Sequence, residues 1–179
     1  MTARLSFPRL ATALAALSLG TTLAWSPVHH GSRIAGTVSL SVDSQHVAPV
    51  ADGPMHVLTL VRSHGPNRST GATEYMSGAQ VSNVEIADLT QGNGTDHGYI
   101  TFASGADTTI SKWSGTVSTT VGADRQPVTT FKGKWTMVAG TGRYQHASGS
   151  GTYRGRMLSP RASTVEWEGD LSGADIATE

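Results

Sequence analysis

The sequence predicts an all-β domain, a single antiparallel closed barrel of eight or nearly eight strands. Apolar and polar residues alternate along eight separate segments, with the period of two that a half-buried strand requires. Short turn sequences rich in Gly, Asp, Asn and Pro separate these segments. No long window repeats its apolar residues at helical spacing. A sandwich also fits, but a barrel is favoured because closure leaves no strand edge open to unwanted pairing.

Alternation is clearest in the first segment, residues 34–42. Ile34, Val38 and Leu40 share one face with Gly36, and hydroxyl side chains occupy the other face. Three further segments in the first half of the chain follow the same rule: residues 55–62, 80–89 and 97–103.

The second half of the chain supplies the remaining predicted strands, and tryptophans mark their apolar faces. The segments are residues 108–121, 129–137, 150–157 and 163–171. Trp113, Trp135 and Trp167 each lie on an apolar face, where they predict either core or the wall of a cavity. Lys132 and Lys134 alternate with Trp135 and therefore predict an outer, solvated face.

The N-terminal residues 1–24 have the composition of a secretory signal peptide. Arg4 and Arg9 form a basic start, an apolar run covers residues 10–23, and small residues lead to a cleavage position near Ala24. The run is shorter than the roughly 20 apolar residues that a membrane span needs. We therefore expect an exported protein, periplasmic or secreted, without a stable membrane span.

The rest of the chain predicts one domain with two short flanking segments. Residues 25–33 form a lead, residues 34–171 the β-barrel domain, and residues 172–179 a C-terminal tail. The chain has no cysteine, so its stability must come from burial and backbone pairing. Acidic and basic residues balance, and no basic stripe is present. Nucleic acid is therefore not an expected partner.

A glycine-rich stretch, residues 140–155, connects two of the predicted strands. It lacks the lysine and the following helix of a phosphate-binding loop. We expect Gly140 and Gly142 to take positive φ at a tight corner, against which Tyr144 packs. The later glycines should let the next strand bend or approach a neighbour closely: Gly149, Gly151 and Gly155.

The same stretch, within FKGKWTMVAGTGRYQHASGSGTYRG at residues 131–155, resembles a unit of the allene oxide cyclase and dirigent barrels. That unit consists of a strand, the motif Gly-Thr-Gly-x-aromatic, the motif Ala-x-Gly and a second strand. Residues 81–102 are compatible with an earlier hairpin of such a barrel. The resemblance implies an eight-stranded antiparallel barrel with an elongated apolar cavity. Family members guide the cyclisation or coupling of a reactive small molecule, or bind one, and many are dimers or trimers. This chain departs from the plant enzymes in having no cysteine, and their active-site residues do not map onto it one by one.

Two groups of polar residues are candidates for chemistry. Asn83 and Glu85 share a largely apolar strand face, where a carboxylate would have a raised pKa and could act as an acid or base. If that face points outward, the pair is simply solvated. Asp96, His97 and Tyr99 follow or close a glycine-rich turn and could rim a cavity mouth, or they could form an ordinary polar hairpin loop. The histidines show no chelating spacing, so we expect no metal site and no cofactor.

Three functional hypotheses follow. The first is an exported barrel that binds a small apolar or amphipathic molecule. The second is a cyclase or isomerase in which Glu85 is the catalytic residue, and the third is a packed structural or surface-interaction barrel without a ligand. A homodimer or homotrimer is compatible with each. A weaker similarity of composition links TTISKWSGTV to biotin-binding barrels. The predicted ligand-binding residues are Asn83, His97, Tyr99, Trp113, Trp135 and Trp167.

Overall fold

The computed structural model describes residues 31–174, and most of them lie in eight β-strands. The strands are β1 (Ser32–Pro49), β2 (His56–Ser69), β3 (Gln80–Thr90), β4 (Asn93–Ser104), β5 (Asp107–Val121), β6 (Pro127–Thr141), β7 (Ser148–Ser159) and β8 (Ala162–Ser172). A short 3-10 turn, Gly142–Tyr144, follows β6. The predicted all-β class is confirmed. The predicted signal peptide, its cleavage near Ala24, and most of the lead and tail lie outside the described residues.

The strands form one closed antiparallel barrel, as predicted, and they follow one another around it in chain order. Each strand pairs with its neighbours in sequence, and β8 pairs with β1 to complete the ring. The β3–β4 hairpin turns through Gln91 and Gly92, which have φ values of 53° and 75°. Two successive positive φ values are typical of the tight hairpin turn whose twist matches that of the strands. Ring closure leaves none of the eight strands as an unpaired edge.

One end of the barrel is closed by residues 70–79, which connect β2 to β3. Tyr75 and Met76 are almost fully buried there. Asn67 on β2 holds both, because its Nδ2 donates to their carbonyl oxygens at 3.0 and 2.9 Å. The Tyr75 hydroxyl lies 2.6 Å from Oγ1 of Thr109. Apolar residues from the surrounding strands complete this end of the core, among them Ile34, Val81, Phe102, Met137, Tyr144 and Leu171.

Two segments that composition assigned to turns lie in strands. The sequence SHGPNRS, residues 63–69, is the second half of β2. Pro66 pairs with Gln80 at the end of the β2–β3 ladder, a position at which a strand tolerates proline. In the glycine-rich sequence after β3, only Gln91 and Gly92 form the turn, and β4 begins at Asn93. Pairing with neighbouring strands outweighs local turn preference at both places.

The glycine-rich stretch forms the predicted corner, with one correction. Gly142 has φ of 59°, and a Cβ there would overlap a carboxylate oxygen of Asp107. Gly140 instead lies within β6 and does not have positive φ. Its missing side chain leaves room for the backbone of Tyr144. Tyr144 is 1% exposed and packs its ring against Tyr75, so the corner is fixed to the closed end of the barrel.

Candidate functional site

The other half of the barrel contains a cavity of about 280 Å³ to which all eight strands contribute. Ligand pockets typically measure about 300–1,000 Å³, so this cavity suits a small molecule. Its walls are mainly aliphatic and aromatic. The aromatic side chains that line it are Tyr75, Phe102, Trp113, Phe131, Trp135, Tyr153 and Trp167.

One part of the wall, called the acidic wall below, is formed by four polar side chains from three strands. Asn83 and Glu85 project from β3, Asp96 from β4 and Tyr153 from β7. Asn83 is 5% exposed and accepts a hydrogen bond of 3.0 Å from Nε1 of Trp113. It also hydrogen-bonds the carboxylate of Glu85. The amide therefore orients both the indole and one of the two acidic groups.

Tyr153 approaches Asp96 across two intervening strands because both residues between them are glycines. Asp96 pairs with Gly115, Gly115 with Gly133, and Gly133 with Tyr153. A Cβ on Gly115 would overlap the Tyr153 hydroxyl and lie 2.9 Å from Oδ1 of Asp96. A Cβ on Gly133 would lie 2.6 Å from the same hydroxyl. The two glycines thus form the surface over which the tyrosine extends toward the carboxylate.

Within residues 31–174, Oδ1 of Asp96 and the Tyr153 hydroxyl are the two buried side-chain polar atoms without a hydrogen-bond partner. Leaving such a group unsatisfied costs about 1–3 kcal/mol, and more when the group is charged. Asp96 is only 4% exposed. Because both residues line the same cavity, a molecule bound there is one candidate partner for the two atoms.

The acidic groups of this wall titrate near neutral pH. Burial, and to a smaller extent the nearby charge of Asp96, raise the pKa of Glu85 to about 7 against the opposing effect of a hydrogen bond with Asn83. Burial likewise raises the pKa of Asp96 to about 6. The pKa of Tyr153 is raised by burial and then by the two carboxylates, so its hydroxyl keeps its proton. The two carboxyl groups can therefore give or take a proton under ordinary conditions.

Five of the predicted ligand-binding and catalytic residues line the cavity, and two do not. Those that line it are Asn83, Glu85, Trp113, Trp135 and Trp167; their roles stay predictions. His97 and Tyr99 lie on the outer face, where Tyr99 is 50% exposed. Their placement differs from the predicted cavity mouth because β4 points Asp96 and Gly98 inward, which turns the alternate residues outward.

Tyr153 was missed by the sequence analysis, although a signal for it exists. It lies on an inner face of β7 between Gly149, Gly151 and Gly155, and the only other large side chain on that face of β7 is Met157. An aromatic residue alternating with glycines on a barrel strand indicates a ring that spreads over its neighbours. Asp96 was a candidate, and the structure places it inside the barrel rather than at a turn.

The indole N–H groups of the three tryptophans are already engaged. Nε1 of Trp167 donates to Oδ1 of Asn67 at 3.2 Å, and Nε1 of Trp135 donates to the Glu168 carbonyl oxygen at 3.2 Å. Trp113 donates to Asn83. The tryptophans therefore offer ring faces and edges to a ligand, and polar recognition is left to the acidic wall and to the Ser, Thr and Gln side chains of the lining.

Other kinds of site find no support in the part of the chain that the structure describes. No group of three or more His, Cys, Asp or Glu side chains is arranged to hold a metal ion there. No helix among these residues is long and apolar enough to cross a membrane. Lys132 and Lys134 are exposed on the outer face, as predicted.

Comparisons with known proteins return structural likenesses only. No protein-family model matches the chain, and no curated protein matches it. Among solved structures, the pterocarpan synthase dirigent protein GePTS1 matches with 11% identity and a TM-score of 0.45, covering 91% of this chain and 100% of that one. The pterocarpan synthase dirigent protein PsPTS1 matches with 12% identity and a TM-score of 0.43, covering 82% and 98%. Both are dirigent proteins, the group that residues 131–155 resemble, and at these identities the likeness gives this chain no activity.

Proposed function

We propose that the barrel binds a small, largely apolar molecule that carries one polar group. The observation that supports this most directly is the mainly apolar cavity with one acidic wall, in which Asp96 and Tyr153 each have an atom without a hydrogen-bond partner. Apolar walls supply affinity, and a few placed polar groups supply orientation. The packed-barrel hypothesis is not favoured, because the space beside Trp113, Trp135 and Trp167 is not filled by other side chains.

Acid–base catalysis on the bound molecule, of the cyclase or isomerase type, is a second candidate. It is favoured by the pKa values near neutrality of Glu85 and Asp96. A deprotonated Glu85 could take a proton from the substrate while Tyr153 donates a hydrogen bond to an oxygen that gains charge. The enclosing walls would hold a flexible substrate in one folded conformation. No residue of the cavity needs a cofactor for such a step.

Native mass spectrometry of the protein purified gently from its own host tests the binding proposal. A stoichiometric passenger, recovered by solvent extraction, is the expected result, and the Tyr153→Phe variant should retain less of it. A matched control is Tyr99→Phe, which removes a hydroxyl from the outer face. A wild-type protein that is empty and binds no member of a panel of small aromatic molecules would overturn the proposal.

Export and self-association form part of the same proposal. The composition of residues 1–24 supports export with cleavage near Ala24. Exposed apolar residues on the outer face of β2 and β3, including Leu58, Leu60 and Ile86, support a homodimer or homotrimer. Leu60 pairs directly with Ile86, so these side chains are adjacent. Mass measurement of the exported protein tests both points in one experiment.

A further inference from the structure

We propose that the cavity selects organic cations, namely small amines with an aromatic or aliphatic body, over neutral or anionic molecules of the same shape. The inference rests on the proposed function, since it concerns the ligand class of the same cavity. Three features carry it: the charges that line the cavity, the unsatisfied carboxylate oxygen, and the aromatic walls.

The charge of the cavity lining is one-sided. Glu85 and Asp96 line it, and no Lys, Arg or His does. A buried carboxylate without a cationic partner is unfavourable, and two of them near each other are more so. A ligand ammonium group would supply the missing positive charge, whereas a ligand carboxylate would add a third negative one.

The hydrogen-bonding needs of the polar wall also match an ammonium group. Oδ1 of Asp96 lacks a donor, and a protonated amine carries up to three N–H groups. Hydrogen bonds in which both partners are charged are roughly twice as strong as neutral ones. The Tyr153 hydroxyl can accept from the same ammonium group, because its position beside Gly115 places it close to Asp96.

Two aromatic rings lie at this acidic wall. Trp113, which donates to Asn83, packs edge to face with Tyr153, and their centroids are 5.6 Å apart. Trp135 and Trp167 line the same cavity and pack edge to face at 6.5 Å. The faces of Trp and Tyr attract cations, and the attraction is larger in a desolvated site. Carboxylates combined with ring faces are therefore suited to an amine that keeps its apolar body against the barrel wall.

Cation binding should release protons from the carboxyl pair. The titratable groups facing Asp96 are Glu85 on β3 and Tyr153 on β7, and His97 follows Asp96 on the outer face of β4. No titratable side chain of β5 lines the cavity. An ammonium group favours the ionised carboxylates, so protons bound by Glu85 and Asp96 near pH 6 are displaced.

Isothermal titration calorimetry with three matched probes tests the inference. The probes are 2-phenylethylammonium chloride, its neutral analogue 2-phenylethanol, and sodium phenylacetate. We expect the ammonium ion to bind at least about tenfold more tightly than the alcohol, and phenylacetate to bind least. Titrations at pH 6 in two buffers of different ionisation enthalpy should show proton release with the ammonium ion alone.

Variants identify the groups responsible. Asp96→Asn and Glu85→Gln keep the side-chain shape, and each should reduce the preference for the ammonium ion over the alcohol about tenfold. Glu166→Gln removes the same charge from the exposed outer face, beside Arg154, and should leave the preference unchanged. Circular dichroism verifies that each variant is folded.

The outcomes separate this inference from the function on which it rests. If the alcohol binds as tightly as the ammonium ion, selection for cations is wrong while small-molecule binding stands. If Glu166→Gln weakens the preference as much as Asp96→Asn, the effect is one of overall charge and the cavity assignment is wrong. If none of the three probes binds, the selectivity for small organic cations is overturned, and the native mass spectrum of the purified protein decides the binding function.

Discussion

The buried carboxyl pair predicts an unusual dependence of stability on pH, which replacement of Glu85 by glutamine should reveal. The pKa of Glu85 is raised from its ordinary value of 4.5 to about 7 in the folded protein. Between these values the folded chain holds a proton that the unfolded chain has lost. The free energy of unfolding therefore falls as pH rises through this window, and the destabilisation is complete above pH 7 and absent below pH 4.5.

The size of the effect follows from the shift. One pKa unit corresponds to about 1.4 kcal/mol, so the shift of Glu85 corresponds to about 3 kcal/mol of lost stability at high pH. Asp96, whose pKa is raised from 3.8 to about 6, contributes a similar amount. The two amounts do not add fully, because part of the Glu85 shift comes from the charge on Asp96. Most of each shift comes from burial, which glutamine tolerates without a charge.

Urea denaturation followed by tryptophan fluorescence measures this directly. At pH 8, Glu85→Gln should be more stable than the wild type by about 2–3 kcal/mol, and at pH 4 the two should be nearly equal. Other groups also titrate: the pKa of His56 is raised by its hydrogen bonds to Asp52 and Asp88, and that of Asp107 is lowered by Arg143. Their contributions are common to both proteins and cancel in the difference.

The control for this experiment is Glu166→Gln, which removes a charge from the exposed outer face. Its difference from the wild type should remain within about 0.5 kcal/mol at both pH values. A Glu85→Gln variant that is equally stable relative to the wild type at pH 4 and pH 8 would refute the argument. That result would mean that the Glu85 carboxylate is solvated rather than buried in the cavity wall.

Three further substitutions test separate parts of the structure. Gly142→Val places a β-branched side chain at positive φ against Asp107 and should cost on the order of 1–2 kcal/mol or more, so an unchanged melting temperature would contradict the assigned corner. Asn67→Ala removes hydrogen bonds to Trp167, Tyr75 and Met76 and should cost about 2–4 kcal/mol in urea denaturation; a loss below 1 kcal/mol would show that these residues do not depend on it. Tyr153→Phe removes an unsatisfied buried hydroxyl and should be neutral or stabilising by about 1 kcal/mol, and a marked loss of stability without ligand would reveal a partner for that hydroxyl.

The number of strands and most of their inward faces could be predicted from the sequence because they depend on a local period. In β8, Val165, Trp167 and Leu171 face inward as alternation requires, with Glu166 on the opposite face. Each strand pairs with the next in the chain, which agrees with the short connections that favoured an antiparallel barrel. The closed end was not predicted, since it depends on Asn67 turning the loop that follows β2 back into the barrel, where Tyr75 meets Thr109 of the distant strand β5.

The errors on β4 and β2 share a physical cause. Gly, Pro and Asn favour turns when considered locally, but ladder pairing from both sides held Ser63–Ser69 and Asn93–Ser104 in strands. The sequence predicts that β4 begins at residue 97, whereas it begins four residues earlier, at Asn93. The predicted segment therefore does not indicate which of its side chains point into the barrel. Because side chains alternate with every residue, Asp96 and His97 end on opposite sides of the wall. The sequence predicts His97 as a ligand-binding residue, whereas the cavity is lined by its neighbour Asp96.

The Asp96 and Tyr153 pair shows why a site inside a barrel cannot be recognised when the sequence of each strand is considered separately. The pairing in one row of the barrel runs from Asp96 through Gly115 and Gly133 to Tyr153, and then to Trp167. Each strand taken alone shows a glycine, an acid or an aromatic residue with an ordinary structural explanation. The site appears only when the registers of four strands are known, because the two glycines let one side chain span the distance. The glycines of this barrel therefore have a role in the chemistry as well as in the backbone. A substitution at Gly115 should displace the Tyr153 hydroxyl and weaken ligand binding by the same mechanism as Tyr153→Phe, although it lies on a different strand.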